Sequence, residues 1–388
     1  MADLIPRARQ LEALGALLNR SPVGAILGPR QCGKTTLARD FAKRHPGPVS
    51  VFDLESSIDL ARLEDPMLAL GKQEGLTVLD EIQLRPELFP TLRVLVDRPG
   101  SRARFLALGS ASPELLRQSS ETLAGRIGFL RLEGFALDEV GAMRRDELWL
   151  RGGFPRSFLG TTLAESAAWR RDFVSTFLER DLPQLGIGIA APTLRRFWTM
   201  LAHYHAQVWN GAELARAFGV ADTTVRRYLD TLTATFVVRQ LQPWHENLGK
   251  RQVKSPKVFL ADSGILHTLL GIETMDELEV HPKIGASFEG FAIDAIRTRL
   301  GARPEECYFW ATYSGAELDL LVIRGRRRLG FEIKRSVAPR VTPSMRTALE
   351  DLKLERLDVV HAGDETFPLG ENLRALSLGS VLSDLQPL

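Results

Sequence analysis

The chain has 388 residues, 44% hydrophobic and 25% charged, which is typical of folded globular proteins and predicts two or three domains. Fifty basic residues against 48 acidic ones leave a net charge of +2, so any surface that binds nucleic acid must be local. Two cysteines exclude a disulfide scaffold, and an acidic amino terminus without a long apolar run predicts a cytoplasmic protein with no membrane span.

The first third of the chain alternates short apolar runs with a helical pattern. Apolar runs predict strands at residues 23–27, 48–52, 76–80 and 105–108, and a helix is predicted from about Gly33 to Arg44. Alternation of this kind indicates a parallel sheet with helices on both faces, which is the α/β class.

Helical patterns dominate after residue 135, and strands return near the carboxyl end. We predict helices at 165–181 and 193–205, two short helices between 210 and 232, strands at 236–238 and 257–260, a helix at 288–300, and strands at 316–323 and 328–333.

A phosphate-binding loop follows the first predicted strand. Residues 28–35 match G-x-x-x-x-G-K-[ST] between a strand and a helix, which is the context that this motif requires. We predict that Lys34 reaches the outer phosphates of ATP and that Thr35 offers its hydroxyl to Mg²⁺. A glycine turn without a nucleotide is the alternative. The predicted nucleotide contacts are Gly28, Pro29, Arg30, Gln31, Cys32, Gly33, Lys34, Thr35 and Thr36.

Four further residues complete the predicted ATP site. Asp80 ends an apolar strand and is placed to hold Mg²⁺, while Glu81 is placed to orient or deprotonate the attacking water. Ser110 follows another strand and could position water beside the γ-phosphate, or simply belong to a turn. Arg126 is predicted to reach the nucleotide of a neighbouring subunit, with a solvated arginine as the alternative.

The position of Cys32 predicts a reactive thiol. The thiol lies in the phosphate loop at a helix amino end beside Lys34, and both features favour the thiolate. We therefore predict a reactive cysteine whose alkylation blocks ATP hydrolysis. The alternative is a buried, inert side chain.

These residues resemble a family of bacterial and archaeal AAA+ ATPases whose C-terminal half is a domain of unknown function with a restriction-endonuclease-like core. The resemblance rests on the motifs at residues 28–36, 79–83, 123–126, 152–155 and 180–182. It implies an ATPase domain, a winged-helix segment and a nuclease-like tail.

Two short helices after residue 209 form a candidate DNA-binding pair. Asn210 can cap the first helix and Asp222 the second, with a turn at residues 218–220. The apolar residues of the second helix share one face, as in a helix-turn-helix with a recognition helix. The apolar residues are Val225, Leu229 and Leu232, and the outward residues are Thr223, Arg226, Arg227 and Asp230.

Positive charge concentrates around this helix pair. Residues 208–257 contain eight lysines or arginines against four acids, and the following strands would form a wing. The loop at residues 250–254 favours contact with DNA phosphates, although winged helices also serve as docking or oligomer-packing modules. The eight basic residues are Arg216, Arg226, Arg227, Arg239, Lys250, Arg251, Lys254 and Lys257.

Acidic residues near the carboxyl end suggest a second metal site. Asp319 lies in one predicted strand, and Glu332 and Lys334 share a face of the next. With Glu289 on the preceding helix, this order resembles the PD-(D/E)xK nuclease core, although Leu318 replaces the proline of the pattern. The carboxylates would hold Mg²⁺ and the lysine would orient water. The alternative is a nuclease fold kept only for docking or DNA binding.

The sequence thus predicts an α/β protein with four domains. They are a P-loop AAA+ ATPase at 1–134, a helical lid at 135–205, a winged helix at 206–282 and a restriction-endonuclease-like domain at 283–388. The leading hypothesis is a Mg²⁺-dependent ATPase that remodels or translocates DNA as a homo-oligomer, with a ring as one form and a nuclease activity left open. The alternatives are a regulatory ATP switch that docks a protein partner and a nucleotide-gated, metal-dependent nuclease.

Overall fold

A computed structural model describes residues 5–109, 121–246 and 251–388. The chain divides into two units, Met1–Gly134 with Ala234–Phe236, and Phe135–Thr233 with Val237–Leu388. Ser110 and Lys250, which the sequence singled out, lie outside the described residues. No helix within the described part is long and apolar enough to span a membrane.

The first unit is built on a parallel sheet, which confirms the α/β prediction. Its five described strands lie in the order β2-β3-β4-β1-β5, and each neighbouring pair is parallel. Strands β1 and β3 are buried throughout, which explains why they appear in the sequence as continuous apolar runs. The strands are β1 Val23–Leu27, β2 Val49–Asp53, β3 Leu76–Asp80, β4 Arg104–Gly109 and β5 Ile127–Arg131.

Helices flank this sheet and contribute leucine and phenylalanine side chains to its core. In the helix Leu88–Val96, for example, Leu88, Phe89, Leu92 and Leu95 are buried among strand residues. The described helices of the first unit are Ala8–Arg20, Lys34–Arg44, Ser57–Arg62, Pro66–Gly71 and Leu88–Val96.

The second unit contains a mixed sheet in the order β13-β14-β12-β11-β10-β9-β7-β8-β6. Strands β7 and β9 pair in parallel through Gln242 with Tyr308 and Pro243 with Phe309. Because of this pairing, strands from segments 206–282 and 283–388 belong to one sheet. The strands are β6 Gln207–Val208, β7 Val238–Pro243, β8 Lys257–Leu260, β9 Cys307–Ala311, β10 Glu317–Arg324, β11 Arg327–Lys334, β12 Arg356–His361, β13 Phe367–Gly370 and β14 Leu373–Ser377.

Helices make up the rest of the second unit. The segment Leu163–Thr176 is an α-helix that continues as a π-helical turn through Phe177–Asp181, where the sequence predicted one long helix. The other α-helices are Leu137–Val140, Arg145–Arg151, Pro155–Phe158, Leu182–Gln184, Ala191–His203, Gly211–Phe218, Asp222–Ala234, Ser263–Leu270, Met275–Val280, Ile284–Leu300, Pro343–Asp351 and Val381–Asp384.

Asp262 connects the Gly152-Gly153 motif to a helix of the second unit. Its Oδ1 accepts from the Ile265 amide at 2.9 Å and caps the helix Ser263–Leu270, while its Oδ2 accepts from the Gly153 amide at 2.7 Å. A Cβ at Gly152, which has φ +76°, would lie 2.2 Å from Asp262 Oδ1. The glycines therefore allow this half-buried carboxylate to approach the backbone.

Candidate functional site

The loop between β1 and the helix Lys34–Arg44 has the backbone of a phosphate-binding turn. Gln31 and Gly33 both adopt left-handed conformations, with φ values of +63° and +99°. A Cβ at Gly28 would lie 2.0 Å from the Leu132 carbonyl oxygen, so only glycine fits there. A tight turn that leads into a helix amino end favours bound phosphate.

Lys34, the first residue of this helix, lies against the loop backbone. Its side chain is buried, and Nζ donates to the carbonyl oxygens of Gly28 at 3.0 Å and Pro29 at 2.9 Å. The ammonium is therefore held within reach of any phosphate that the loop binds.

Thr35 and Asp80 meet although 45 residues separate them. Thr35 Oγ1 donates to Asp80 Oδ2 at 2.8 Å, and Asp80 Oδ1 accepts from the Glu81 amide at 3.0 Å. Burial raises the pKa of the Asp80 carboxyl by more than its hydrogen bond from Thr35 lowers it. A hydroxyl and a carboxylate are oxygen ligands that suit Mg²⁺, so this pair fits the metal that accompanies ATP.

Glu81 directly follows β3 in a left-handed conformation, with φ +56° and ψ 45°. This conformation is uncommon outside glycine, and strained residues concentrate at functional sites. The Glu81 carboxylate accepts a hydrogen bond from Gln83 Nε2. Gln83 lies in the motif at residues 79–83, where the sequence assigned it no role of its own. The sequence analysis did not single out Asp53, which ends β2 beside Asp80 in the sheet register. The feature of the sequence that could have indicated Asp53 is an acid at the end of a predicted strand, as at Asp80.

Arg7 is a further residue of this site that the sequence did not indicate. Its buried guanidinium donates to the Cys32 carbonyl through Nη1 at 3.1 Å, and through Nη2 to the carbonyls of Glu133 at 3.1 Å and Gly134 at 2.9 Å. Arg7 thus joins the phosphate loop to the segment after β5. No local pattern distinguishes Arg7 from the many other arginines of the chain.

The prediction of a reactive thiolate at Cys32 is wrong. The side chain is fully buried, and Sγ lies 3.5 Å from the Leu132 carbonyl oxygen. Burial raises the pKa of the thiol by more than the nearby charges of Lys34 and Arg7 lower it. The Cys32 side chain therefore belongs to the interior of the first unit and stays a neutral thiol at neutral pH.

Arg126 lies at the opposite edge of the sheet from the phosphate loop. The Val23 amide, at the start of β1, donates to the Arg126 carbonyl at 3.1 Å, whereas the loop follows the end of β1. A strand of this length separates the two edges by about 15 Å. The guanidinium pairs with Asp97 at 2.6 Å and is 37% exposed. Arg126 therefore does not reach the nucleotide loop of its own chain.

The second unit brings together the carboxylates of the predicted nuclease-like site. Asp319 lies on β10, Glu332 on β11 and Glu289 on the helix Ile284–Leu300. Asp319 Oδ2 accepts from the Ile333 amide at 2.9 Å, and Lys334 Nζ lies 2.6 Å from Glu332 Oε1. We call Glu289, Glu317, Asp319 and Glu332 the carboxylate cluster.

Lys257 of β8 also enters the carboxylate cluster. Its Nζ lies 2.5 Å from Glu317 Oε1, 3.1 Å from Asp319 Oδ1 and 3.2 Å from Glu289 Oε1. Lys257, which the sequence counted in the positive charge around the helix pair, does not add to an exposed basic surface, because it is 3% exposed and contacts acids. The one local feature of the sequence that could have indicated this buried position is that Lys257 begins an otherwise apolar strand.

Burial and mutual repulsion change the pKa values within the cluster. Burial, reinforced by the Asp319 charge, raises the pKa of Glu289 to about 8 and that of Glu332 to about 7. Burial lowers the pKa of Lys257, but the charges of Asp319, Glu289 and Glu317 outweigh it and raise the pKa above its usual range. Lys257 is therefore charged at neutral pH.

Two helices form at Gly211–Phe218 and Asp222–Ala234, and the second of them buries the apolar face that the sequence predicted. Val225, Leu229 and Leu232 are buried, while Arg226 and Arg227 are exposed. Other basic residues differ in their surroundings: Lys254 is exposed, Arg239 pairs with Asp294, and Arg226 Nε lies 3.2 Å from the Asp230 carboxylate.

Comparisons with known proteins assign the first unit to a class. A family described as "AAA domain" matches residues 20–141. The Walker-type ATPase PABY2304 of Pyrococcus abyssi has a similar fold, with a TM-score of 0.50 and 14% identity over 69% of this chain and 96% of that one. The chain thus contains a P-loop ATPase domain of the AAA type, as predicted, and this fold implies nucleotide binding.

The remainder of the chain matches two families described only as domains of unknown function, DUF8612 over residues 144–276 and DUF4143 over residues 284–381. Uncharacterized proteins of Mycobacterium tuberculosis and Mycobacterium bovis are each 51% identical over 380 residues, which cover 98% of this chain and 85% of the relative. The chain belongs to the family of these mycobacterial proteins.

Substitutions at Lys34 and Glu81 should separate nucleotide binding from hydrolysis. Lys34→Ala removes the ammonium that faces the phosphates, so ATP affinity should be lost. Glu81→Gln keeps the site's shape and removes only the base, so ATP should bind normally while kcat falls by about 100-fold or more. Equilibrium ATP binding and phosphate release measure the two effects. Full hydrolysis by Glu81→Gln would contradict its assigned role.

Arg7 should act on nucleotide affinity by holding the phosphate loop. Arg7→Ala should raise the KM for ATP by about tenfold, the equivalent of one charged hydrogen bond, with a smaller change in kcat. Arg7→Lys should rescue part of the loss.

Arg104 provides the matched control for Arg7. Its guanidinium also donates to backbone carbonyls of the first unit, at Leu18 and Ala103. Arg104→Ala should lower the melting temperature without a change in KM. Equal KM values for Arg7→Ala and Arg104→Ala would show that Arg7 has no specific effect on the loop.

Proposed function

We propose that the protein is a Mg²⁺-dependent ATPase that couples hydrolysis in its first unit to DNA bound by its second unit. The observation that carries the proposal is the convergence of Lys34, Thr35, Asp80 and Glu81 at the carboxyl ends of β1 and β3. In parallel sheets, ligands bind at this edge.

Each residue of the site has a separate task in the proposed hydrolysis. Lys34 neutralises charge on the outer phosphates, and Thr35 with Asp80 would hold the metal. The metal, when bound, supplies further neutralisation of phosphate charge. Glu81 accepts the proton of the attacking water or orients it, and the hydrogen bond from Gln83 fixes the position of its carboxylate.

The position of Arg126 supports a homo-oligomer. Because its guanidinium lies at the far edge of its own sheet, it could contact a nucleotide only in another copy of the chain. An arginine supplied in this way stabilises the charge of the transition state. A ring is the closed arrangement in which each subunit offers Arg126 to the next.

The helix pair supports DNA as the partner of the second unit. Arg226 and Arg227 are adjacent and exposed on the helix Asp222–Ala234, whose opposite face is buried. Exposed arginines on the outer face of such a helix suit contacts with phosphates and base edges.

Removal of this positive charge should weaken DNA binding. Alanine at Arg226, Arg227, Lys250 and Lys254 should lower the log–log salt dependence of affinity by about one unit for each phosphate that no longer meets a basic side chain. The control variant replaces the exposed Arg327 and Arg346, which lie on other elements, and should bind as the wild type does. Fluorescence anisotropy across a salt series measures the slopes, and an unchanged slope in the quadruple variant would assign the helix pair to protein docking.

ATPase rates with single-stranded, duplex and branched DNA test the coupling. We expect DNA to raise kcat severalfold in the wild type and not in the quadruple variant, whose basal rate should be unaffected. Hydrolysis that is indifferent to every DNA would instead favour a regulatory switch that reports to a protein partner.

Mixing experiments test the action of Arg126 between subunits. Arg126→Ala should bind ATP and hydrolyse it slowly, and Lys34→Ala should be inactive. A mixture should be more active than either protein alone, because Lys34→Ala subunits supply Arg126 to intact sites. Asp97→Ala, which removes only the ion-pair partner of Arg126, should retain activity. A mixture no more active than its components would exclude catalysis in trans.

A further inference from the structure

The carboxylate cluster of the second unit contains its own cation. Lys257 Nζ contacts one oxygen from each of Glu289, Glu317 and Asp319, at distances of 3.2, 2.5 and 3.1 Å. An ammonium group has three donors, so these three acceptors satisfy it completely. Lys257 also lies 5.7 Å from the centre of the Phe309 ring, a further favourable contact for a cation.

The resemblance to a PD-(D/E)xK nuclease implies a divalent metal in this cluster, and the observed arrangement does not fit one. Magnesium and manganese would need carboxylate oxygens at about 2.0–2.2 Å. Lys257 Nζ instead donates to one oxygen of each of two of these carboxylates, Glu289 Oε1 at 3.2 Å and Asp319 Oδ1 at 3.1 Å. The other oxygen of Asp319 already accepts from the Ile333 amide. Within the described residues, no group of three or more His, Cys, Asp or Glu side chains could hold a metal ion.

Lys257 cannot easily withdraw from this position. It begins β8, which is paired on one side with β7 and on the other with β6, so the lysine backbone is fixed in the sheet. Its side chain is 4% exposed, so withdrawal would leave buried carboxylates without a counter-charge. A metal and the ammonium would repel each other strongly at such short range in a buried site.

We infer that Lys257 replaces the divalent cation of the nuclease-like core, so that the carboxylate cluster of the native protein binds no catalytic metal. The lysine instead acts as a fixed electrostatic link from β8 to β10 and the helix Ile284–Leu300. The core thereby has a structural role in the second unit and is not a nuclease site. This inference is independent of the proposed ATPase activity, and its test requires no nucleotide.

Direct measurement of Mn²⁺ binding to the full chain tests the inference. Electron paramagnetic resonance counts free Mn²⁺ for the wild type, Lys257→Met, Lys257→Arg, and the double variant Lys257→Met with Asp319→Asn. We expect one additional Mn²⁺ per chain for Lys257→Met, and none for Lys257→Arg or the double variant. Mn²⁺ should also raise the melting temperature of Lys257→Met and leave that of the wild type unchanged.

The wild type decides the question even if Lys257→Met does not fold. Asp319→Asn in the wild-type background should leave Mn²⁺ binding unchanged, because the cluster of the native protein holds no metal. A wild-type Mn²⁺ site that disappears in Asp319→Asn would overturn the inference. A folded Lys257→Met protein that gains no site would overturn it as well, because the lysine would then not stand in a cation position.

Discussion

The hydrogen bond between Thr35 and Asp80 depends on the strand order of the first unit. Asp80 ends β3, and Thr35 lies in the helix that follows β1 and the phosphate loop. Strand β4 lies between β1 and β3, so the ends of these two strands are two positions apart in the sheet. That spacing, about 10 Å between the strand axes, leaves room at the sheet edge for phosphate groups and a metal. The loop, the metal ligands and the base all depend on the parallel register that aligns these strand ends.

In each unit, a buried cationic side chain connects several segments of the chain. Arg7 donates to three backbone carbonyls around the phosphate loop, and Lys257 contacts three carboxylates. A buried charge is tolerated only when its hydrogen-bonding groups are satisfied, so each of these residues constrains every segment that it contacts.

The proposed DNA-binding helices directly precede strands of the mixed sheet in the second unit. The helix Asp222–Ala234 leads towards β7, and β7 is paired with both β8 and β9. Lys257 adds a charged contact from β8 to β10 and to the helix Ile284–Leu300. The strand that follows the helix pair therefore belongs to a sheet whose members are connected both by backbone pairing and by buried ion pairs.

The sequence by itself determined the features that depend on neighbouring residues. The phosphate loop, the acids after β3 and the buried face of the helix Asp222–Ala234 follow from local spacing, because period and turn chemistry act over a few residues. Only the tertiary structure decided the environments of Cys32, Arg7 and Lys257. Arg7 acts across 25 to 127 residues, and Lys257 across 32 to 62. Burial determines whether a thiol ionises and which partners a lysine can contact. Burial arises from contacts between distant segments, which no local pattern encodes.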